Sequence, residues 1–145
     1  MINIFFEEID EFKLDNLHVE ENIEKLIENE NRTLGDVNYI LCSDPYLLEI
    51  NRQYLKHDYY TDVISFDYCE DNVISGDIFI SVDTVASNAK EYGVSFEKEL
   101  ARVMIHGVLH FVGYNDKADD EIPVMRAKEN QYLKLFEEQC FRSMM

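Results

Sequence analysis

Short apolar runs alternate with longer amphipathic segments along the chain, and this alternation predicts strands interspersed with helices. Strands are predicted at Ile2 to Phe6, Val37 to Cys42, Asp62 to Asp67 and Val73 to Val82, where apolar and β-branched residues cluster. The last of these runs contains the dipeptide Gly76-Asp77. Because a glycine inside a strand pattern often marks a bulge, we expect a β-bulge at this dipeptide.

The amphipathic segments carry apolar residues three and four positions apart, which is the helical spacing. Asp44-Pro45 has the form of a cap followed by proline at the first helical position. Ser95 is a candidate N-cap, and Gly113 is the expected end of the same helix. The predicted helices span about residues 19–30, 44–54, 83–92, 95–112 and 123–141.

These elements predict an α/β fold of the α+β sandwich kind, with a small, mixed, open sheet of about four strands packed with about five helices. The chain has no internal repeat, no linker rich in proline, glycine or serine, and no low-complexity segment. Its 145 residues have the length of one ordinary domain, and 46% of them are hydrophobic, which is enough for one core. A single domain over residues 1–145 is therefore predicted.

The charge of the chain limits the partners it can bind. It contains 13 Lys and Arg against 30 Asp and Glu, which gives a net charge of −17. So acidic a chain repels nucleic acid as a whole, and any contact with RNA must come from a local patch. DNA is not an expected partner. The 18 Phe and Tyr residues argue against a disordered chain.

The cysteines and the hydrophobic segments predict a cytoplasmic protein. Cys42, Cys69 and Cys140 are widely spaced, form no CxxC pair and are odd in number, which argues against a disulfide framework. The first residues lack the basic region of a signal peptide. No apolar stretch approaches the ~20 residues that span a bilayer, so no membrane partner is expected.

Candidate chemistry begins with a histidine pair on the helix predicted to end at Gly113. His106 and His110 are four positions apart, so they lie on one helical face about one turn from each other. At this spacing two imidazoles can bind one metal ion. The alternative is a pair of hydrogen-bonded core histidines.

The residues after the pair strengthen the metal interpretation. Gly113 lets the chain turn back, and Asp116, six positions past His110, can then reach the same ion, as in metzincin-type spacing with aspartate in place of histidine. Two imidazoles and one carboxylate would leave a tetrahedral Zn²⁺ an open position for water, which is typical of a catalytic site. Alternatively Asp116 simply belongs to the acidic loop, and Asp119 is the alternative third ligand.

The residue after the first histidine bears on the reaction class. Peptidases with the HExxH motif carry their glutamate general base at that position, and here it is Gly107. A reaction that needs chiefly a Lewis acid and a metal-bound water fits better. Cleavage of an RNA phosphodiester is such a reaction, because RNA carries its own 2′-OH nucleophile.

Three sequence blocks resemble those of the YbeY family, the metal-dependent endoribonucleases of bacterial ribosomal RNA maturation. They are His106-Gly-x-Leu-His-x-x-Gly-Tyr114, the stretch from Asn51 to Phe66, and the strand from Ser75 to Ser81. The resemblance covers roughly residues 36–130. It implies a small α/β fold with a metal at the end of a cleft, and a role in small-subunit ribosomal RNA processing and ribosome quality control.

The resemblance also implies roles for single residues. His106 and His110 match the family's metal ligands, whereas Asp116 stands where the family most often has a histidine. Aspartate is a legitimate zinc ligand, so one Zn²⁺ per chain is still expected.

A second difference from the family's pattern concerns substrate binding. Leu55 occupies the place of the family's usual arginine, which would be expected to meet an RNA phosphate. Arg52, Lys56 and His57 are candidates to bind substrate instead, and the alternative for each is an exposed surface side chain.

The leading hypothesis is a metal-dependent endoribonuclease that hydrolyses single-stranded ribosomal RNA, with the small ribosomal subunit or its proteins as partners. His106, His110 and Asp116 would hold the ion and position its water, whereas Asp62 and Ser65 either line the cleft or are structural. A non-catalytic ribosome-assembly factor with a stabilising metal site is a second hypothesis, favoured by the acidic charge. A metallohydrolase of another substrate, such as a peptide, is the third.

Overall fold

The structure is a computed structural model that describes residues 1–14, 17–55 and 61–144, with side chains up to residue 138. Within these ranges it contains four strands and five helices, as predicted. The strands are β1 Ile2–Glu7, β2 Thr33–Cys42, β3 Val63–Asp67 and β4 Val73–Ser81. The helices are α1 Val19–Asn29, α2 Asp44–Ile50, α3 Val82–Tyr92, α4 Phe96–Val112 and α5 Glu121–Met144, with a π-helical segment Asn51–Leu55 continuing α2.

The strands form one mixed, open sheet in the order β1-β2-β4-β3. β1 pairs with β2 and β2 with β4 in parallel, and β3 runs antiparallel to β4. The register places Tyr39 between Ile4 and Ile78, so apolar side chains of the three parallel strands share one face. This arrangement confirms the predicted fold class.

The predicted bulge at Gly76-Asp77 is wrong. Both residues pair in unbroken register with β3. The irregularity lies in the neighbouring strand, where the pairing of β2 with β4 shifts between Leu34 and Val37. Gly76 serves a packing purpose instead, because a Cβ there would lie 2.5 Å from the Phe111 ring and from the Phe66 carbonyl oxygen.

The core lies mainly on one face of the sheet, under α4. This helix is buried on nearly all sides, as expected for a central core helix. Side chains from α1, α3 and α5 complete the same core. A smaller cluster of Cys42, Leu47 and Ile64 lies under α2. None of the described helices is both long and apolar enough to cross a membrane.

Local signals explain where the helices begin and end. Ser43, rather than the predicted Asp44, caps α2 by accepting a hydrogen bond from the Tyr46 N–H. Ser95 caps α4 as predicted, accepting from the Lys98 N–H. Gly113 ends α4 with φ of 117°, a conformation that glycine adopts readily. The chain can therefore turn back towards the last turns of α4.

Candidate metal centre

The two histidines of α4 converge as their spacing predicts. The Nε2 atoms of His106 and His110 lie 3.0 Å apart, and the ring centroids are 4.6 Å apart. Both side chains are partly exposed, 16% and 31% respectively, so neither is fully buried in the core. The two rings lie within hydrogen-bonding distance, as the alternative of hydrogen-bonded core histidines predicts, but they are not buried in the core.

The turn at Gly113 brings Asp116 to the same point. Its Oδ2 lies 3.3 Å from His106 Nε2, and its Oδ1 lies 3.7 Å from His110 Nε2. One donor atom from each of the three residues lies within 4.8 Å of the others, and among the described residues this is the only such group of His, Cys, Asp or Glu. Asp119, the alternative third ligand, is exposed and stands outside the group.

The donor set fits a divalent metal ion. Two imidazole nitrogens and one carboxylate oxygen are ligands that transition metals accept, and a set of three protein ligands is typical of catalytic sites. The His106 ring is also held by a hydrogen bond on its other nitrogen, because Nδ1 lies 2.7 Å from Glu129 Oε2. When Nδ1 carries the proton for that hydrogen bond, Nε2 presents its lone pair to the other two ligands.

Glu129 is itself held in place by a buried ion-pair network. Its side chain is only 3% exposed, and its Oε1 accepts a hydrogen bond from Arg102 Nη1 at 3.2 Å. Arg102 Nε donates in turn to Glu99 Oε1 at 2.9 Å. Glu99, Arg102 and His106 are three and four positions apart, so they share one face of α4, and Glu129 of α5 links Arg102 to His106.

The electrostatics of this network favour metal binding. Burial raises the pKa of the Glu129 carboxyl, but hydrogen bonds and charges from His106 and Arg102 bring it below its ordinary value, so Glu129 is ionised. The hydrogen bond to Glu99 raises the pKa of Arg102 against the effect of burial. Burial lowers the pKa of His110, and nearby His106 lowers it further. A neutral imidazole is the form that binds a metal ion.

Two of the candidate ligands, His106 and Asp116, line a cleft of about 300 Å³ between α4, α5 and the start of β3. Its floor combines the apolar side chains of Val103, Ile122 and Met125 with ionisable groups. Asp62 lines the cleft, as one of the two interpretations predicted, whereas Ser65 does not. The cleft can therefore accommodate a polar substrate beside the histidines.

Two arginines line the cleft, and they differ in how fully their charge is compensated. Arg102 is 19% exposed and bonded to two carboxylates. Arg126 is 66% exposed, and its Nε lies 4.0 Å from Glu129 Oε1. Arg126 is thus the cation that faces the solvent side of the cleft.

The predicted substrate-binding residues lie elsewhere or outside the described residues. Arg52 is in the π-helical segment, 50% exposed, with Nη1 3.8 Å from Glu49 Oε2, and it does not line the cleft. Leu55 ends that segment with 40% exposure. Lys56 and His57 lie outside the described residues.

Sequence reasoning missed Glu129, Arg102 and Glu99. The signal for Glu129 was its place in the apolar stripe of α5, where the neighbouring core positions are Met125, Tyr132 and Phe136. A glutamate in such a stripe must be paired when buried, since isolated buried charge is costly. That observation indicates a partner without identifying His106 as the one.

Comparison with known proteins identifies relatives across nearly the whole chain. A family model described as Endoribonuclease YbeY matches residues 4–137. A protein of Flavobacterium johnsoniae called Endoribonuclease YbeY is 49% identical over 137 residues, which is 94% of this chain and 97% of the relative. One from Flavobacterium psychrophilum with the same name is 56% identical over 114 residues, 79% of this chain and 81% of the relative.

A solved structure shows the same fold. The solution structure of a Thermotoga maritima protein is 34% identical in sequence and superposes with a TM-score of 0.70. The match covers 99% of this chain and 93% of that protein.

Proposed function

The chain belongs to the endoribonuclease YbeY family, and we propose that it hydrolyses phosphodiester bonds of RNA at the cleft beside the group of His106, His110 and Asp116. The observation that carries this proposal is the convergence of these three side chains, whose donor atoms lie within 4.8 Å of one another. The position that carries the general base in HExxH peptidases is occupied by Gly107.

We propose that the three side chains hold one Zn²⁺ ion. The mixture of two imidazoles and a carboxylate suits zinc, and the ligand count matches catalytic zinc sites. When bound, the ion supplies a Lewis acid that stabilises negative charge developing on the phosphate and activates water at neutral pH. Asp116, in place of a third histidine, makes the site one unit more negative than an all-histidine set.

The chain's own residues orient the site and bind the substrate. Glu129 holds the His106 ring through Nδ1, and Arg102 keeps Glu129 ionised and in place. Arg126, on the solvent side of the cleft, offers a guanidinium to an RNA phosphate, which it can bind with two parallel hydrogen bonds. Asp62 borders the same space and limits how RNA approaches.

The substrate in the cell is proposed to be the RNA of the small ribosomal subunit. The support is the resemblance of the sequence blocks to enzymes of ribosomal RNA maturation. Ribosomal proteins, which are basic, suit a partner with a net charge of −17. Arg52, Lys56 and His57 are proposed as further RNA contacts beyond the cleft, and the cytoplasm as the place of action.

A cleavage assay with matched histidine variants tests this function. Wild type, His110→Ala and His18→Ala, each loaded with Zn²⁺, are incubated with single-stranded RNA spanning a small-subunit precursor end. We expect cutting and one bound ion per chain for wild type and for His18→Ala. His18 is the N-cap of α1, and it neither belongs to the group of candidate ligands nor lines the cleft. His110→Ala should lose most of the metal and the cutting.

Two outcomes would contradict the proposal. Equal metal content in His110→Ala and wild type would remove the site assignment. Folded, metal-loaded wild type that cuts no precursor, with or without ribosomal subunits present, would favour the non-catalytic assembly factor.

A further inference from the structure

The candidate ligand Asp116 lies in a segment without regular structure between α4 and α5. Its position therefore depends on how the two ends of that segment are anchored. On the α5 side, Glu121 Oε1 accepts from the Ala118 N–H at 2.9 Å, which fixes the chain two residues after Asp116. On the α4 side, two residues before Asp116, the anchor is the Tyr114 side chain.

Tyr114 bonds to Glu30, which follows the last residue of α1 and is 84 positions away. The Tyr114 hydroxyl donates to Glu30 Oε1 at 2.6 Å. The other carboxylate oxygen, Oε2, accepts from Lys128 Nζ at 3.1 Å and from the Tyr132 hydroxyl, both on α5. We call these four residues the Glu30 cluster.

The Glu30 cluster is built as a rigid junction. The Glu30 side chain is only 9% exposed, yet three donors satisfy its two oxygens. Hydrogen bonds to a charged acceptor are stronger than neutral ones and hold their partners more tightly. Lys128 Nζ also lies 5.5 Å from the centroid of the Tyr114 ring, which adds a second contact to the same tyrosine.

A neighbouring contact fixes the same turn. Arg32 Nη2, two residues after Glu30, donates to the Val112 carbonyl oxygen at 3.3 Å. Val112 and Tyr114 flank Gly113, where the chain reverses. Glu30 and Arg32, which follow α1, therefore contact the turn on both sides of Gly113.

We infer that Glu30 is a positioning residue for the metal site: through the Tyr114 hydroxyl it holds the segment that brings Asp116 to His106 and His110. The inference rests on the proposed function, because it concerns the same metal site. Glu30 touches neither ligand nor substrate. Its role is to select one path of the chain after Gly113, so that the carboxylate of Asp116 is already in place when the ion binds.

Two tyrosines on the same carboxylate provide a matched test. Tyr114→Phe and Tyr132→Phe each remove one hydroxyl that bonds Glu30, but Tyr114 alone leads to Asp116. Zn²⁺ affinity is measured by competition with a chromogenic chelator, and folding by circular dichroism. We expect Tyr114→Phe to weaken Zn²⁺ binding by roughly tenfold, the lower end of effects seen for supporting residues, and Tyr132→Phe by less than about twofold.

The alternatives are distinguishable. Equal losses of Zn²⁺ affinity in the two folded variants, or no loss in Tyr114→Phe, would overturn the inference and make Glu30 a purely structural residue. His110→Ala is the reference for a destroyed site. If it binds Zn²⁺ as tightly as wild type, the metal site itself is wrong; if it loses the ion while Tyr114→Phe keeps it, only the positioning role is wrong.

A conservative substitution of the acid gives an independent check. Glu30→Gln keeps an oxygen that can accept from Tyr114 but removes the negative charge, whereas Glu30→Ala removes both. We expect Glu30→Gln to retain most of the Zn²⁺ affinity that Glu30→Ala loses. Equal losses in both, at temperatures where both are folded, would contradict a role that acts through the tyrosine hydrogen bond.

Discussion

At the scale of single residues, the positive charge around the cleft is divided between a buried structural arginine and an exposed one. Arg102 is 19% exposed and forms ion pairs with Glu99 and Glu129, so its charge is compensated within the protein. Arg126 is 66% exposed, and its Nε lies 4.0 Å from Glu129 Oε1, farther than the hydrogen bonds of Arg102. In a chain where Leu55 replaces an expected arginine, Arg126 is the residue we expect to meet RNA phosphate.

Arg126→Ala should therefore weaken RNA binding and flatten its salt dependence. The loss of one phosphate contact to single-stranded RNA lowers the slope of log affinity against log salt by about 0.7. Lys134→Ala, which removes an exposed cation of the same helix outside the cleft, is the control and should leave the slope unchanged. Equal slopes for the two variants and wild type, measured by fluorescence anisotropy, would exclude Arg126 as a contact.

At the scale of elements, α4 combines two tasks that constrain each other. One of its faces packs on the sheet, and another carries two of the three candidate metal ligands, His106 and His110. Close contacts hold α4 against the sheet, and one of them is the approach of the Phe111 ring to Gly76 of β4. Because Phe111 follows His110 directly, this packing also sets where the second histidine lies.

Gly76→Ala should destabilise the protein by about 1–3 kcal/mol, the usual cost of overpacking a core. The added Cβ would lie 2.5 Å from both the Phe111 ring and a backbone oxygen of Phe66, and a backbone oxygen cannot move aside easily. Gly107→Ala is the comparison, because its Cβ would meet only Ile78 side-chain carbons, the nearest at 2.9 Å.

Alanine also favours a helix over glycine by up to about 1 kcal/mol, which offsets part of the crowding at Gly107. Urea unfolding measures both variants. A loss for Gly76→Ala no greater than that for Gly107→Ala would contradict the tighter packing assigned to Gly76.

At the scale of the whole molecule, the net charge of −17 works against both the compact folded state and the approach of RNA. Acidic groups repel one another in the compact state and repel RNA at long range. The local cations of the cleft attract RNA only at short range, within the screening length of the solution. Function in so acidic a protein therefore depends on a local site and not on a basic surface.

Raising the salt concentration should raise the melting temperature of the metal-free protein and lower its affinity for RNA. Screening weakens the self-repulsion of the folded state, and the same ions compete with phosphate contacts. Thermal unfolding and anisotropy across one salt series measure the two effects.

The double variant Glu20→Gln/Glu24→Gln, on the exposed side of α1, is the control for the first effect. It should flatten the salt dependence of the melting temperature and leave the salt slope of RNA binding unchanged. A melting temperature that falls with salt in wild type would contradict the role assigned to self-repulsion.

Most of the elements could be predicted from the sequence because their signals are local. Periodicity identified the strands and helices, and Ser95 and Gly113 marked the ends of α4. The pair His106 and His110 converges because its members lie one turn apart on one helix, a geometry that needs no tertiary contact. The reach of Asp116 followed from the turn that glycine permits.

Contacts between distant parts of the chain were decided only by the tertiary structure. Glu129 meets His106 across 23 positions, and Glu30 meets Tyr114 across 84, so no local pattern relates them. The irregularity that was predicted in β4 lies in β2 instead, because register depends on how two strands pair. The candidate ligands could be predicted from local spacing, whereas the residues that orient them could not, because a buried carboxylate takes its partners from whichever elements pack against it.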